Sequence, residues 1–270
     1  MLSRKNQVSI TCSRKSSSYD AIQYPTEFGS MRKHGVVTTK NIMMNEKRSI
    51  FPSEEELVRA IISAGNRVGR GATHRRLNVL REFDTSVGRA DVVFFHLRRE
   101  WRKHASYARV PSRWIYALRT LPFRTKFTPD EFASMSGVSR NTAMLTLRRY
   151  EAIGYCKRSI DKGFWVKVRQ PVPIVKKIIA IEAKLMDWKR AISQAYRYQR
   201  YASQSWVILD ASRARGAIAA KKEFQRLNVG LKVLTQDGKA KTYFTPRALP
   251  PKSMLHFWEA NGLIATSLCF

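Results

Sequence analysis

Acidic residues are what this sequence has least of. Twenty Asp and Glu stand against 50 Lys and Arg over 270 residues, a formal net charge of +30 and a pI near 10.7. Cysteine is also sparse. Cys12, Cys156 and Cys269 lie far apart with no C-x-x-C pair, which argues against a zinc ribbon or a disulfide framework. The five histidines are scattered without an H-E-x-x-H or other close ligand spacing, so a structural zinc site is not expected. No apolar run approaches the roughly eighteen residues that span a bilayer. The opening stretch MLSRKNQVSITCSRKSSS has charge and polarity where a signal peptide needs an unbroken apolar segment. Internal repeats are absent. The expected location is cytoplasmic, with no membrane partner.

What is present is the composition of a soluble globular protein, 44% hydrophobic with a mean hydropathy of −0.37. The length suffices for one large domain or two ordinary ones. An excess of positive charge attracts a polyanion and releases its counterions, which makes DNA the expected partner and a nucleoid association the expected setting. A solvated basic surface or anionic lipid also fits the charge, but no amphipathic lipid-binding helix accompanies it. The charge is uneven. Residues 1–50 carry nine basic and three acidic side chains, 53–98 eight and six, 99–172 sixteen and five, and 173–270 seventeen and six. Acids therefore gather in 53–98, and carboxylates held in a positive field suit a metal site that must meet phosphates.

Residues 1–50 are polar and Ser-rich without sustained periodicity, the pattern of a flexible basic arm. Beyond Pro52, Ser53 is placed to cap a helix whose first turn, Glu54-Glu55-Glu56, suits the helix dipole. Leu57, Val58, Ile61 and Ile62 supply its apolar stripe. Strands are expected over 76–84 and 90–97 (ADVVFFHL), the second apolar enough to be buried, with Ser86-Val87-Gly88 turning one into the other. Much later, 175–185 (VKKIIAIEAKL) reads as another buried strand. It leads to an amphipathic helix over 187–204, a strand over 205–210, a helix over 212–227 and a hairpin over 229–244.

The interval between those strands has its own pattern. A helix is expected over 112–121. Thr128-Pro129-Asp130-Glu131 is a strong helix start, closed at Gly137, and Val138-Ser139 opens a second helix over 140–153. Residues 155–169 (YCKRSIDKGFWVKVR) form a hairpin with Asp161-Lys162-Gly163 at its tip. Helix, turn, helix and hairpin together describe a winged helix-turn-helix. In such a module Ser139, Arg140, Asn141 and Thr142 meet DNA base edges, and Arg148, Arg149, Lys157, Arg158 and Lys162 contact phosphates. Leu145, Leu147 and Ile153 are expected in its core. The chain thus divides into an arm (1–50), a first core segment (51–98), an inserted module (99–172) and a second core segment (173–270).

Asp91 opens one apolar strand. Glu182 and Lys184 lie two apart on another, hence on the same side of a sheet. A carboxylate sits in an apolar strand when it is paired, hydrogen-bonded or bound to a cation. If the two strands are neighbours, Asp91 and Glu182 can share Mg²⁺, or Mn²⁺, while Lys184 positions or activates a water. A buried salt bridge without catalysis is the plainer alternative. GRADVVFF (Gly88–Phe95) followed by IIAIEAK (Ile178–Lys184) resembles the two half-motifs of the PD-(D/E)XK nuclease superfamily, with Ala90-Asp91 in place of Pro-Asp. The resemblance covers 53–98 and 174–234. It implies an α/β fold with a restriction-endonuclease-like mixed sheet flanked by helices, interrupted here by the winged helix-turn-helix. It also implies that Gln194 and Tyr198, on the next helix, match the Q-x-x-x-Y element that borders the active site of RecB-like members. A Glu from the leading helix, best Glu54, would join the metal ligands. Glu82, on the strand before Asp91, is either a further ligand or the partner of an arginine.

The resulting expectation is an Mg²⁺-dependent DNA endonuclease. Its winged helix grips duplex DNA, and its Asp91–Glu182–Lys184 centre hydrolyses a phosphodiester to leave a 5′-phosphate. The alternative is a DNA-binding regulator or replication initiator built on a catalytically inactive nuclease-like domain. Homodimerisation, and service as a subunit of a defence or transposition complex, are both compatible with the sequence.

Overall fold

In the computed structural model of the protein, which describes residues 50–65 and 77–270, the apolar runs assemble into one six-stranded mixed sheet. The arm expected over 1–50 lies outside the described residues apart from Ile50. Helix α1 (Glu54–Ser63) starts as its capping signal dictates: Ser53 Oγ accepts from the Glu56 N–H, and Leu57, Val58 and Ile61 are buried. Strands β1 (Asn78–Thr85) and β2 (Gly88–Leu97) then form an antiparallel hairpin.

The chain leaves the sheet for α2 (Trp101–His104) and α3 (Ile115–Thr120), the latter preceded by a 3₁₀ turn at Ser112–Trp114 and stopped ahead of Pro122. A small antiparallel sheet follows, made of β3 (Lys126–Phe127), β4 (Cys156–Arg158) and β5 (Trp165–Lys167) in the order β3-β5-β4. Between β3 and β4 lie α4 (Pro129–Ser136) and α5 (Arg140–Ala152). The capping box of α4 is complete, with Thr128 and Glu131 each bonding the other's backbone, and Gly137 closes the helix at φ 64°, a left-handed conformation glycine adopts without strain. On α5 the buried residues are Ala143, Thr146, Leu147 and Tyr150, spaced for one helix face. Leu145 falls off that stripe and is 57% exposed, so it is not a core residue.

The sheet resumes with β6 (Val175–Lys184), α6 (Trp188–Tyr198), β7 (Gln204–Asp210), α7 (Arg215–Ala219), α8 (Lys221–Leu227), β8 (Gly230–Leu234) and β9 (Ala240–Phe244). The order β1-β2-β6-β7-β8-β9 has a parallel centre, β6-β7-β8, with antiparallel flanks. Alternate side chains serve opposite faces. Val92, Phe94, Ile179, Ile181, Trp206 and Ile208 pack with α1; Val93, Phe95, Ala180, Val207 and Leu209 share the core of α6. Helix α6 stops at Tyr198, short of the expected 204, because Ser203 already donates to Ile178 O and pairing of β7 with β6 begins at Gln204. The helix expected over 212–227 is divided at Ala220 into α7 and α8.

A last helix, α9 (Met254–Cys269), had no counterpart in the sequence reading. It buries Trp258, Ala260, Asn261, Gly262, Ile264 and Ala265 in a core shared by the large sheet and residues 105–121. No helix among the described residues is long and apolar enough to cross a membrane.

Candidate active site

Strands β2 and β6 are paired as far as Val92–Ile181, and their pairing stops there. Continued in register, Asp91 would stand opposite Glu182 and Arg89 opposite Lys184. The strands part instead. Asp91 Oδ2 accepts from the Ala183 N–H at 2.7 Å, giving that donor the partner it needs. The β1–β2 ladder also passes over the Glu82–Asp91 position, between Arg81–Val92 and Phe83–Ala90. Glu82 there adopts φ 47°.

Tyr198 spans the fork from α6. Its hydroxyl donates towards the Arg89 carbonyl at 2.6 Å, on β2, and towards Glu182 Oε2 at 2.7 Å, on β6. A phenol has a single proton, so the two acceptors compete for it unless Glu182 carries its own. Burial, reinforced by the charge of Asp91, raises the Glu182 carboxyl to about pKa 7, against the opposing pull of Tyr198 and Lys184. Burial also raises the Asp91 pKa, with the Ala183 N–H and the Lys184 charge acting in the other direction.

Lys184 Nζ sits 2.9 Å from Glu54 Oε2, 3.4 Å from Glu182 Oε1 and 4.0 Å from Asp91 Oδ2. Burial works against its charge, but the Glu54 hydrogen bond and the surrounding carboxylates raise its pKa above the usual lysine value. In this arrangement Lys184 is therefore an ammonium. It neutralises and positions; it has no lone pair with which to act as a base.

These groups open onto a cleft of about 490 Å³ lined by Glu54, Arg89, Asp91, Glu182, Lys184, Asp187, Arg190 and Gln194. Asp91, Glu182, Lys184, Glu54 and Gln194 are thus brought together, and Tyr198 stands directly behind Glu182. Glu82 is exposed and is not part of the cleft lining. Gln194 Oε1 is buried without a hydrogen-bond partner among the described residues. Arg89, Asp187 and Arg190 were missed by the sequence reading. Two had a legible signal: Arg89 is two residues before Asp91 on its strand, and Arg190 is four before Gln194 on its helix.

The candidate DNA contacts gather elsewhere, around α5 and the β4–β5 hairpin. Ser139 Oγ accepts from the Thr142 N–H and lies 3.0 Å from Thr142 Oγ1, so both hydroxyls serve the helix start. Arg140 pairs with Asp130 at 2.9 Å. Asn141, Arg148, Arg149, Lys157 and Lys162 are exposed. Arg158 lies over the Trp165 ring and reaches Glu151 at 3.5 Å. None of these residues lines the cleft.

Among the described residues, no three His, Cys, Asp or Glu side chains are grouped as a metal cage of protein ligands alone would require. Asp91 and Glu182 are the cleft carboxylates beside Lys184 that could serve an ion such as Mg²⁺, which keeps several waters and takes one or two carboxylates. Comparison with protein-family models, curated proteins and solved structures finds no match to this chain.

Proposed function

We propose that the protein is a metal-dependent DNA endonuclease of the PD-(D/E)XK type, with a restriction-endonuclease-like sheet and an inserted winged helix-turn-helix that holds duplex DNA. The observation that carries this reading is the fork between β2 and β6. It sets the carboxylates of Asp91 and Glu182 and the ammonium of Lys184 at an open cleft in a chain of net charge +30.

Asp91 and Glu182 would hold Mg²⁺ or Mn²⁺, with Glu54 at the rim. The bound ion supplies charge stabilisation at the phosphoryl group and a lowered pKa for its water. The chain's own residues do the remaining work. Ala183 fixes the Asp91 carboxylate through its N–H, and Tyr198 fixes that of Glu182. Lys184 keeps positive charge beside both and is placed to stabilise negative charge developing on the phosphate. Gln194 adds a neutral polar side chain to the same cleft. The α4–α5 pair and the β4–β5 hairpin would provide the groove contacts and phosphate contacts of a winged helix.

The test is nicking of supercoiled plasmid with Mg²⁺ or Mn²⁺. Wild type should cleave, and Asp91→Asn and Lys184→Ala should each lose about 100-fold or more, the scale of a lost electrostatic catalyst. Tight, sequence-specific binding with no cleavage under either metal would replace this reading with a DNA-binding regulator or replication initiator on an inactive scaffold.

A further inference from the structure

The cleft holds four carboxyl groups, on Glu54, Asp91, Glu182 and Asp187, and three cations, on Arg89, Lys184 and Arg190. Pairing among them is uneven. Lys184 alone is drawn in, to within 2.9 Å of Glu54 and 3.4 Å of Glu182. Neither guanidinium makes an ion pair or a side-chain hydrogen bond among the described residues, although acids line the same cleft.

Both arginines are nevertheless anchored through their backbone. The carbonyl of Arg89 accepts from Tyr198 at 2.6 Å, and the N–H of Arg190 donates to Asp187 Oδ1 at 3.0 Å. Arg190 stands four residues before Gln194 and eight before Tyr198, on the ridge of α6 that faces the fork. Two exposed cationic side chains thus line one opening from different elements, a strand and a helix, each on a hydrogen-bonded backbone and without an ion-pair partner among the described residues. A planar guanidinium matches two oxygens of a phosphate at once, and its pre-organised fork loses less freedom per hydrogen bond formed than an ammonium does.

We infer that Arg89 and Arg190 form a seat for the phosphodiester presented to Asp91, Glu182 and Lys184. The inference rests on the nuclease reading for the reaction that follows, but the anion it names is the same whether or not that reaction occurs.

The test uses the full chain and a fluorescein-labelled DNA duplex in EDTA, with affinity measured by anisotropy across a salt series. Arg89→Ala and Arg190→Ala should each weaken binding about tenfold and lower the slope of log affinity against log salt by about one, the value for one lost phosphate contact. Arg226→Ala is the control, because its guanidinium already pairs with Glu223 at 2.8 Å, and it should change neither quantity. Arg190→Lys keeps the charge and should keep the slope, while losing at least about tenfold in plasmid cleavage for want of the fork. If Arg89→Ala and Arg190→Ala fold normally and show wild-type affinity and slope, the seat is overturned, whatever the plasmid assay shows. If both slopes fall while plasmid stays intact with every metal, the seat stands and the nuclease reading fails.

Discussion

Tyr198 ties together two stretches of chain that are far apart in sequence, since one hydroxyl meets the Arg89 carbonyl and the Glu182 carboxylate. Partners that orient a metal ligand are typically worth about 10–100-fold in metal affinity or activity. Tyr198→Phe keeps the ring in its buried packing and removes only that hydroxyl. On the proposed nuclease reading, the Mg²⁺ concentration for half-maximal nicking should rise by about that factor, whereas an unchanged Mg²⁺ titration would mean Glu182 holds its place unaided. A second buried polar group, remote from the cleft, titrates in a predictable direction. Lys167 is fully buried and donates to Leu118 O at 3.3 Å and Arg119 O at 3.2 Å, at the end of α3. Burial, aided by the charge of Arg119, lowers its pKa to about 8 from 10.5. Between pH 8 and 10.5 the unfolded chain binds more protons at this site than the folded one, so stability from Lys167 is present above pH 10.5 and is lost as pH falls to 8. Cys156, whose thiol burial raises to about 12 from 9, acts in the opposite sense over the upper part of that range. Comparing wild type with Lys167→Met in urea unfolding isolates the lysine. Wild type should gain relative to the variant as pH rises from 8 to 10.5, and a constant difference would show that the amine is not depressed.

At the level of elements, the core strands were legible because their apolar runs are long and the flanking caps are explicit. β6 runs Val175–Lys184 where the sequence suggests 175–185, and α1 and α4 both start at the hydroxyl that caps them. The parting of β2 and β6 was not legible. It depends on Asp91 bonding Ala183 across 92 residues, and no local pattern encodes a ladder that stops. The same limit hid Arg89 and Arg190, which look like ordinary surface arginines until the fork and the cleft are built. Glu82, open in the sequence to a role as ligand or as an arginine's partner, is exposed and outside the cleft lining, at a position of β1 with φ 47°. Helix α9 escaped because apolar residues occur all around it, leaving no amphipathic stripe to mark a period. The junction of β7 and β8 offers a direct test of packing between elements. Gly230 pairs with Trp206, and a Cβ at residue 230 would lie 2.2 Å from the Trp206 ring. Gly230→Ala should cost about 1–3 kcal/mol, as overpacked cores do, read as a lower urea midpoint. A midpoint equal to wild type would mean that the two strands can separate to admit a methyl group.

For the molecule as a whole, the question is whether the inserted segment is a passenger on the sheet or part of its core. Helix α9 argues for the second. Glu259 accepts from the Ser86 N–H at 2.9 Å in the β1–β2 turn, and Thr266 Oγ1 lies 3.2 Å from Ala108 O in the inserted segment and 3.0 Å from Gly262 O of its own helix, two acceptors that share its one proton. Asn261, fully buried between them, accepts from the Val175 N–H at 3.1 Å where β6 begins and donates to Phe257 O at 2.9 Å. Tyr107 adds a second tie, donating to Val172 O and accepting from the Ile174 N–H. One continuous apolar cluster therefore runs from Phe132 and Leu147 of the inserted segment, through Ile115 and Trp258, to Val93 and Val207 of the sheet. A core shared in this way should unfold as one unit. Backbone circular dichroism, which sees every helix and strand, and tryptophan fluorescence, which samples Trp165, Trp206 and Trp258 in different places, should give coincident transitions. Asn261→Leu fills the same space but leaves the Val175 N–H buried without an acceptor, a loss of about 1–3 kcal/mol. Both probes should then move to lower denaturant by the same amount. If fluorescence and dichroism separate in wild type, or if the substitution shifts only one of them, the inserted segment folds on its own and α9 merely rests against it.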